Sequence, residues 1–194
     1  MSQSLDQLLA EIAACQACSV HLPHPPRPVV QIGARARILI AGQAPGRRVH
    51  VSGIPFDDPS GERLRAWMGI DRAVFYDASK VAVAAMGFCF PGHDKNGGDL
   101  PPRRECAPLW RERLLQHLPN VRLTLLIGGY AQSWHLGTKS AAMTQTVQAF
   151  AQAPAGLVPL PHPSWRNTGW LKRNPWFEAD LLPVVRAKVR EALA

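Results

Sequence analysis

The sequence predicts an α/β protein, a three-layer α/β/α sandwich with a central four-stranded parallel sheet. Two observations carry that expectation. Four short apolar segments, Ala36–Ala41, Val81–Met86, Leu123–Ile127 and Gly156–Leu160, are β-branched or leucine-rich and have Gly or Pro near their ends, as buried strands do. Helical patterns separate them, and strands alternating with helices form βαβ units whose parallel sheet is covered on both faces. A third observation places the function. The unusual motifs Gly42-Gln43, Met86-Gly87-Phe88-Cys89, Gly128-Gly129-Tyr130 and His162-Pro163-Ser164 all stand at the ends of these segments, and in an open parallel sheet such loops line one crevice.

Taken in order, Leu5, Leu8, Leu9 and Ile12 follow helical spacing, and that helix should stop near the Cys15–Cys18 turn. Residues Leu22–Pro28 hold four prolines, too many for a helix, so an extended surface connector is expected to lead into the sheet. Asp58-Pro59-Ser60 is a helix-start signal for Gly61–Met68, and Ala107–Leu118 carries apolar residues at Leu109, Trp110, Leu114, Leu115 and Leu118. Gly129–Leu136 and Ala141–Phe150 suggest two further helices and Trp176–Leu193 a closing one. The Gly- and Pro-rich stretch Gly92–Arg103 is expected to be mobile.

With 194 residues, one domain over residues 1–194 with a substantial core is expected. No apolar stretch approaches the roughly 20 residues that cross a bilayer, and the first residues, with Asp6 and Glu11 in a helical pattern, do not resemble a signal peptide. A soluble, cytoplasmic protein without a membrane partner is the expectation, and a monomer. The net charge is +8 and the pI near 9.9, with Arg prominent, which makes a nucleic-acid partner plausible beside the plainer reading of a basic enzyme. Four cysteines in a cytosolic chain, Cys15-x-x-Cys18 with Cys89 and Cys106, point to a metal or cluster ligand set sooner than to disulfides.

Two loops carry the chemistry. Gly42-Gln43-Ala44-Pro45-Gly46 can present backbone N–H groups to an anion or a heterocycle, although a generic strand-to-helix turn accounts for the same residues. In His162-Pro163-Ser164-Trp165-Arg166-Asn167 the histidine can donate to charge developing on a leaving group, where a structural histidine is the plainer alternative. Ser164 can contact a phosphate, and Arg166, Lys172 and Arg173 would form a basic rim around Trp165 and Trp170, an arrangement that suits a nucleic-acid strand.

Together these residues resemble the uracil-DNA glycosylase superfamily, whose signatures are a Gly-rich first loop and a His-Pro-Ser second loop. The pattern is most similar to the iron–sulfur branch: Cys15/Cys18, Gly42–Gly46, Gly53-Ile54-Pro55-Phe56, and Cys89/Cys106 with sixteen residues between them. His162-Pro163-Ser164-x-Arg166-Asn167 is similar to the loop of the single-strand-selective uracil glycosylases. Phe56-Asp57-Asp58-Pro59-Ser60-Gly61 is similar to an iron–sulfur branch with an Asp two residues before Ser-Gly.

The resemblance implies a DNA repair glycosylase that flips a damaged, uracil-like base out of the stack and hydrolyses its N-glycosidic bond. It implies Phe56 as the stacking face, His162 and the amides around Gln43 and Ala44 as donors to the departing base, and Gly42, Ala44 and Pro45 as pocket-lining residues. Gln43 stands where that branch has an acid, so Asp58 becomes the candidate for water activation. Ala85 stands where the superfamily carries the Asn that reads uracil. Asn96, Asn167 or the main chain at Met86–Gly87 would then read the base, or another deaminated base such as hypoxanthine is preferred. Arg166 would fill the gap left by the flipped nucleotide, with Ser164 and Asn167 also on DNA. The resemblance further implies a [4Fe–4S] cluster on Cys15, Cys18, Cys89 and Cys106, with zinc as the alternative. A non-catalytic, damage-sensing DNA-binding protein of the same fold is the reading from a different class.

Overall fold

Four parallel strands, β1 (Ile38–Ala41), β2 (Val81–Val83), β3 (Leu123–Ile127) and β4 (Leu157–Leu160), form one sheet in the order β2-β1-β3-β4. The structure is a computed structural model and describes residues 3–137 and 143–194. Nine α-helices are found among the described residues: α1 (Leu5–Ala13), α2 (Arg47–Ser52), α3 (Pro59–Met68), α4 (Arg72–Tyr76), α5 (Cys106–Leu115), α6 (Gly129–Leu136), α7 (Met143–Gln148), α8 (Thr168–Arg173) and α9 (Leu182–Leu193). None of the helices is long and apolar enough to cross a membrane.

Side chains alternate across the strands, and that alternation builds the layers. Ile38 and Ile40 of β1 join a core with Leu64, Trp67 and Met68 of α3 and Val185 and Val189 of α9. Leu39 faces the other way, into a core with Leu8 and Ile12 of α1 and Trp110 and Leu114 of α5. The expected α/β/α sandwich is therefore what the chain forms. Pro159 lies in β4, tolerated there because β4 is an edge strand and a missing N–H costs least at an edge.

The differences from the sequence expectation have local causes. β2 ends at Val83 instead of Met86, yet the backbone beyond it keeps following β1: Ala84 N–H donates to Ile40 O (3.0 Å), Met86 N–H to Gly42 O (2.9 Å) and Gly87 N–H to Gln43 O (2.9 Å). The proline-rich connector is extended, as its prolines require, but its end is not a surface segment. Val29 is buried, and Gln31 exchanges N–H···O bonds with Val83 (2.9 and 2.7 Å), covering the free edge of β2. The closing helix starts with a π-helical turn, Phe177–Leu181, ahead of α9, where Pro183 in the first turn lacks the N–H that a continuous α-helix would use. Helices α2, α4 and α8 span five or six residues each, too short to show a hydrophobic period. Of the expected helix Ala141–Phe150, residues 141 and 142 lie outside the described residues.

Within the Gly- and Pro-rich stretch Gly92–Arg103, the backbone folds into a closed hairpin. The Asp94 carboxylate accepts from the N–H groups of Asn96 and Gly98 (both 2.8 Å), Asp94 N–H donates to Gly98 O (2.7 Å), and His93 pairs with Asp99 across the turn. Those two N–H donors hold the Asp94 carboxyl below its usual range.

Gln31 ties the edge of β2 to α4 as well: its side-chain amide donates to Phe75 O (2.9 Å) and Val81 O (2.8 Å). Gln31→Leu leaves both carbonyls without this donor, and the expected cost is about 1–3 kcal/mol. Urea unfolding should show a lower midpoint at unchanged slope.

Candidate active site

The loops that leave β1, β2 and β4 open onto a cavity of about 610 Å³ at the carboxyl edge of the sheet. Gln43, Phe56 and His162 all line it, together with Gly42, Ala44, Pro45, Asp58, Ala85, Ser164, Arg166 and Asn167. Its volume lies within the few hundred to about 1,000 Å³ typical of small-molecule sites.

Phe56 is held in place by its backbone. Its φ of +54° is the one positive value among the described non-glycine residues, a conformation that persists only when its surroundings impose it. Tyr76 Oη donates to Pro55 O (3.1 Å), and the Phe56 ring packs edge-on against Phe75. Two glycines make room. A Cβ on Gly61 would lie 1.8 Å from Phe56 O, so only glycine allows the helix to start there, while the Phe56 ring lies over Gly42, whose missing Cβ would be 3.6 Å from Cζ. The first loop, the Phe56 ring and the start of α3 are thus one packed unit.

Asp58 caps α3, its Oδ1 accepting from Gly61 N–H at 2.9 Å. Oδ2 has no hydrogen-bond donor among the described residues. Gln43 points its amide toward Leu100 O at 3.5 Å and so reaches the hairpin. The N–H groups of Gln43 and Ala44 have no acceptor among the described residues.

His162 is largely enclosed, and three contacts fix its loop. Ser164 N–H donates to Nδ1 (3.2 Å), and Asn167 Nδ2 donates to His162 O (2.7 Å). From α3, Arg63 donates to Ser164 O (3.0 Å) and Thr168 Oγ1 (3.5 Å). Because Nδ1 accepts, the proton of the neutral ring sits on Nε2. Burial pushes the pKa below the ordinary value of 6.5, with the Asp58 and Asp99 carboxylates opposing that shift. The result is a neutral imidazole whose Nε2–H has no acceptor among the described residues.

The hairpin closes a further side. Arg166 donates to Gly97 O (2.7 Å), and His93 Nδ1 lies 3.1 Å from Asp99 Oδ1 at the rim. Trp165 beside it is 74% exposed, which leaves a bare indole at the mouth of the cavity.

Several residues singled out from sequence lie outside the cavity or are engaged elsewhere. Met86 does not face the cavity: its side chain packs with Ala41, Ala107, Leu126 and Ala131 in the core, and the N–H groups of Met86 and Gly87 are already taken by the first loop. Lys172 and Arg173 are exposed at the end of α8 and do not line the cavity. Trp170 is buried, its Nε1 donating to Thr144 Oγ1 at 2.7 Å, so it is no part of a basic rim. Asn96 sits on the hairpin turn outside the cavity, and the Asn167 amide is occupied in holding the His162 loop. Arg63 lines the cavity and was not singled out from sequence; an Arg on a helix reads as a solvated face. Its only signal is its place two residues after Gly61.

The four cysteines line a separate small pocket between the end of α1, the connector and the start of α5. Cys106 Sγ accepts from Phe88 N–H at 3.3 Å. Burial pushes the Cys89 thiol up to about 11 and Cys106 up to about 12, with neighbouring cysteines adding to the shift. Among the described residues no three His, Cys, Asp or Glu side chains close on a single metal-ion position.

The sequence model of the uracil DNA glycosylase superfamily matches residues 30–186. The chain belongs to that superfamily. The match takes in both cavity loops and Cys89 and Cys106; Cys15 and Cys18 precede it. Membership in that superfamily makes DNA the partner of this chain, and Phe56, Asp58 and His162 line one cavity at the carboxyl edge of the sheet.

Gly61→Ala tests this packing. The added methyl group collides with backbone and forces α3 away from Phe56, so a loss of about 1–3 kcal/mol or more is expected from overpacking, read by thermal unfolding.

Proposed function

We propose that this chain is a monofunctional DNA glycosylase that draws a deaminated, uracil-like base out of the stack and hydrolyses its N-glycosidic bond. The observation that carries the proposal is the convergence of Phe56, Asp58 and His162 on one cavity, with His162 neutral and its Nε2–H free. As the glycosidic bond breaks, negative charge develops on the base and positive charge on the sugar, and donors already in place lower the barrier. Phe56 stacks on the extruded base. His162 Nε2–H and the unpaired N–H groups of Gln43 and Ala44 face the departing charge. The free Oδ2 of Asp58 takes or orients the proton of the attacking water, while Gln43 can position that water without accepting its proton. Ser164, Arg166 and the exposed Arg47 and Arg48 supply phosphate contacts.

Ala85 favours a second reading of substrate. With a methyl group where an amide would read uracil, and the Met86 and Gly87 amides engaged, selectivity for uracil over other deaminated bases such as hypoxanthine has no side-chain amide at this strand end.

We also propose that Cys15, Cys18, Cys89 and Cys106 hold a [4Fe–4S] cluster, with zinc as the alternative. One N–H···S hydrogen bond and four thiols around one small pocket suit thiolate ligation. The group would serve as a cross-link between the amino-terminal helix and α5, not as a redox centre. Anaerobic preparation should give brown protein containing iron; colourless protein without iron overturns the cluster.

The activity test uses single- and double-stranded oligonucleotides carrying uracil, hypoxanthine or xanthine, with abasic product as the readout. His162→Gln should lower the rate about 10²–10³-fold. Asp58→Asn keeps the helix cap and removes the charge, and should lower it by about 10²-fold or more; Gln43→Ala should cost less. Product from no substrate, with binding intact, identifies the damage-sensing reading instead. The pH profile supplies a separate check. Since the folded pKa of His162 is depressed, the ring stays neutral as pH falls through 6.5, and excision should persist there. Lower still, a proton on Nδ1 opposes the Ser164 N–H and activity falls.

A further inference from the structure

Phe56 stands in a turn that suits a different residue. Asp57 N–H donates to Ile54 O (3.3 Å), closing a four-residue turn with Pro55 second and Phe56 third. Proline in the second place and a positive φ in the third fit a type II turn, whose third place takes glycine or asparagine. A bulky residue is at ease in the type I form, reached by rotating the peptide unit between Pro55 and Phe56 by roughly half a turn. That rotation reverses Pro55 O and makes the φ of Phe56 negative. It also tilts the Cα–Cβ bond and changes the rotamers that the backbone allows, and with them the placement of the ring over Gly42.

A hydroxyl group opposes the rotation. Tyr76 Oη of α4 donates at 3.1 Å to Pro55 O, the carbonyl that would be reversed. The ring that carries this hydroxyl is itself held. Arg72 Cζ lies over it at 4.8 Å and Arg65 Cζ at 5.8 Å, and Phe75 packs edge-on against it with centroids 5.1 Å apart. Arg72 also reaches the last residue of the turn, its Nη2 lying 3.2 Å from Asp57 Oδ1. Helix α4 is anchored in turn by the Asp71 cap on Val74 N–H (2.7 Å), by the fully buried Phe75 and by the Gln31 amide on Phe75 O. One short helix thus grips both residues that flank Phe56. Asp58, next in the chain, has a separate anchor in its bond from Gly61 N–H.

We infer that Tyr76 is a positioning residue for the base-stacking ring: its hydroxyl keeps the Pro55–Phe56 peptide in the orientation that lays Phe56 over the base pocket. The inference rests on the proposed base excision, in which Phe56 is the stacking face.

The test is steady-state kinetics of the full chain on single-stranded oligonucleotides carrying uracil, hypoxanthine or xanthine, with wild type, Tyr76→Phe, Phe56→Ala and the double variant. Tyr76→Phe keeps the aromatic ring and removes only the donor. KM should rise about 3- to 10-fold, the population shift that loss of one hydrogen bond produces. Because Asp58 is anchored separately, kcat should stay within about twofold. In the Phe56→Ala background the ring is gone, and adding Tyr76→Phe should change KM by no more than about 1.5-fold. A wild-type KM in Tyr76→Phe overturns the inference. So does an equal rise in KM with and without the Phe56 ring, which is what a general loosening of the fold gives. A wild type that excises none of the three bases defeats the excision reading instead, and a crystal structure of Tyr76→Phe then decides the positioning role. A negative φ at Phe56 with the ring off Gly42 supports it, and an unchanged turn overturns it. Should Tyr76→Phe not fold, the same change is made together with Phe56→Gly, which adopts a positive φ without strain. Recovery of folding there supports the link between hydroxyl and turn; failure in both backgrounds overturns it.

Discussion

The site depends on a run of backbone hydrogen bonds between two segments that are no longer strands. Past Ala41 and Val83, the chain continues side by side through Ala84 N–H to Ile40 O, Met86 N–H to Gly42 O and Gly87 N–H to Gln43 O. These bonds carry the parallel register of β1 and β2 into the loops and set Gly42 against Ala85 to make the floor. Each is a modest contribution by itself, about 0.5–1.5 kcal/mol. Their joint effect is geometric, because the Phe56 ring, the cap of α3 and the His162 loop all take position from that floor.

Around the floor, polar groups are used to shape loops more often than to face a ligand. Asn167, Arg63, Arg166 and Asp94 have side chains that read as surface or ligand contacts, yet each is committed to backbone atoms of the second loop or the hairpin. Among the groups left uncommitted are the Nε2–H of His162, one oxygen of Asp58 and the N–H groups of Gln43 and Ala44. Donors and acceptors held by such loops are fixed in place, which is the preorganisation that charge separation in a leaving base requires. The neutral state of His162 belongs to the same economy of charge, since enclosure disfavours the imidazolium and the Ser164 N–H blocks the second proton.

Much of the fold was legible in the residues. The four strands, the helices α1, α3, α5 and α6, and the carboxyl-edge position of both loops follow from apolar patterning and from Gly, Pro and Asp at element boundaries. The helices α2, α4 and α8 did not show, being shorter than two turns. The hairpin within Gly92–Arg103 did not show, because Gly and Pro mark a turn without telling whether side chains, here Asp94 and Arg166, close it. Met86 and Trp170 stand next to motifs in the sequence, yet both side chains pack in the core, which local spacing does not reveal.

The sequence by itself determined the class of fold, the two loops, the identity of the candidate chemical groups and the departures at Gln43 and Ala85, since residue type and local spacing are properties of the chain. Which of those groups stay free was decided only by tertiary structure. Hydrogen bonds between residues far apart in the chain, and the exclusion of water around them, settle whether a polar side chain serves the ligand or the protein.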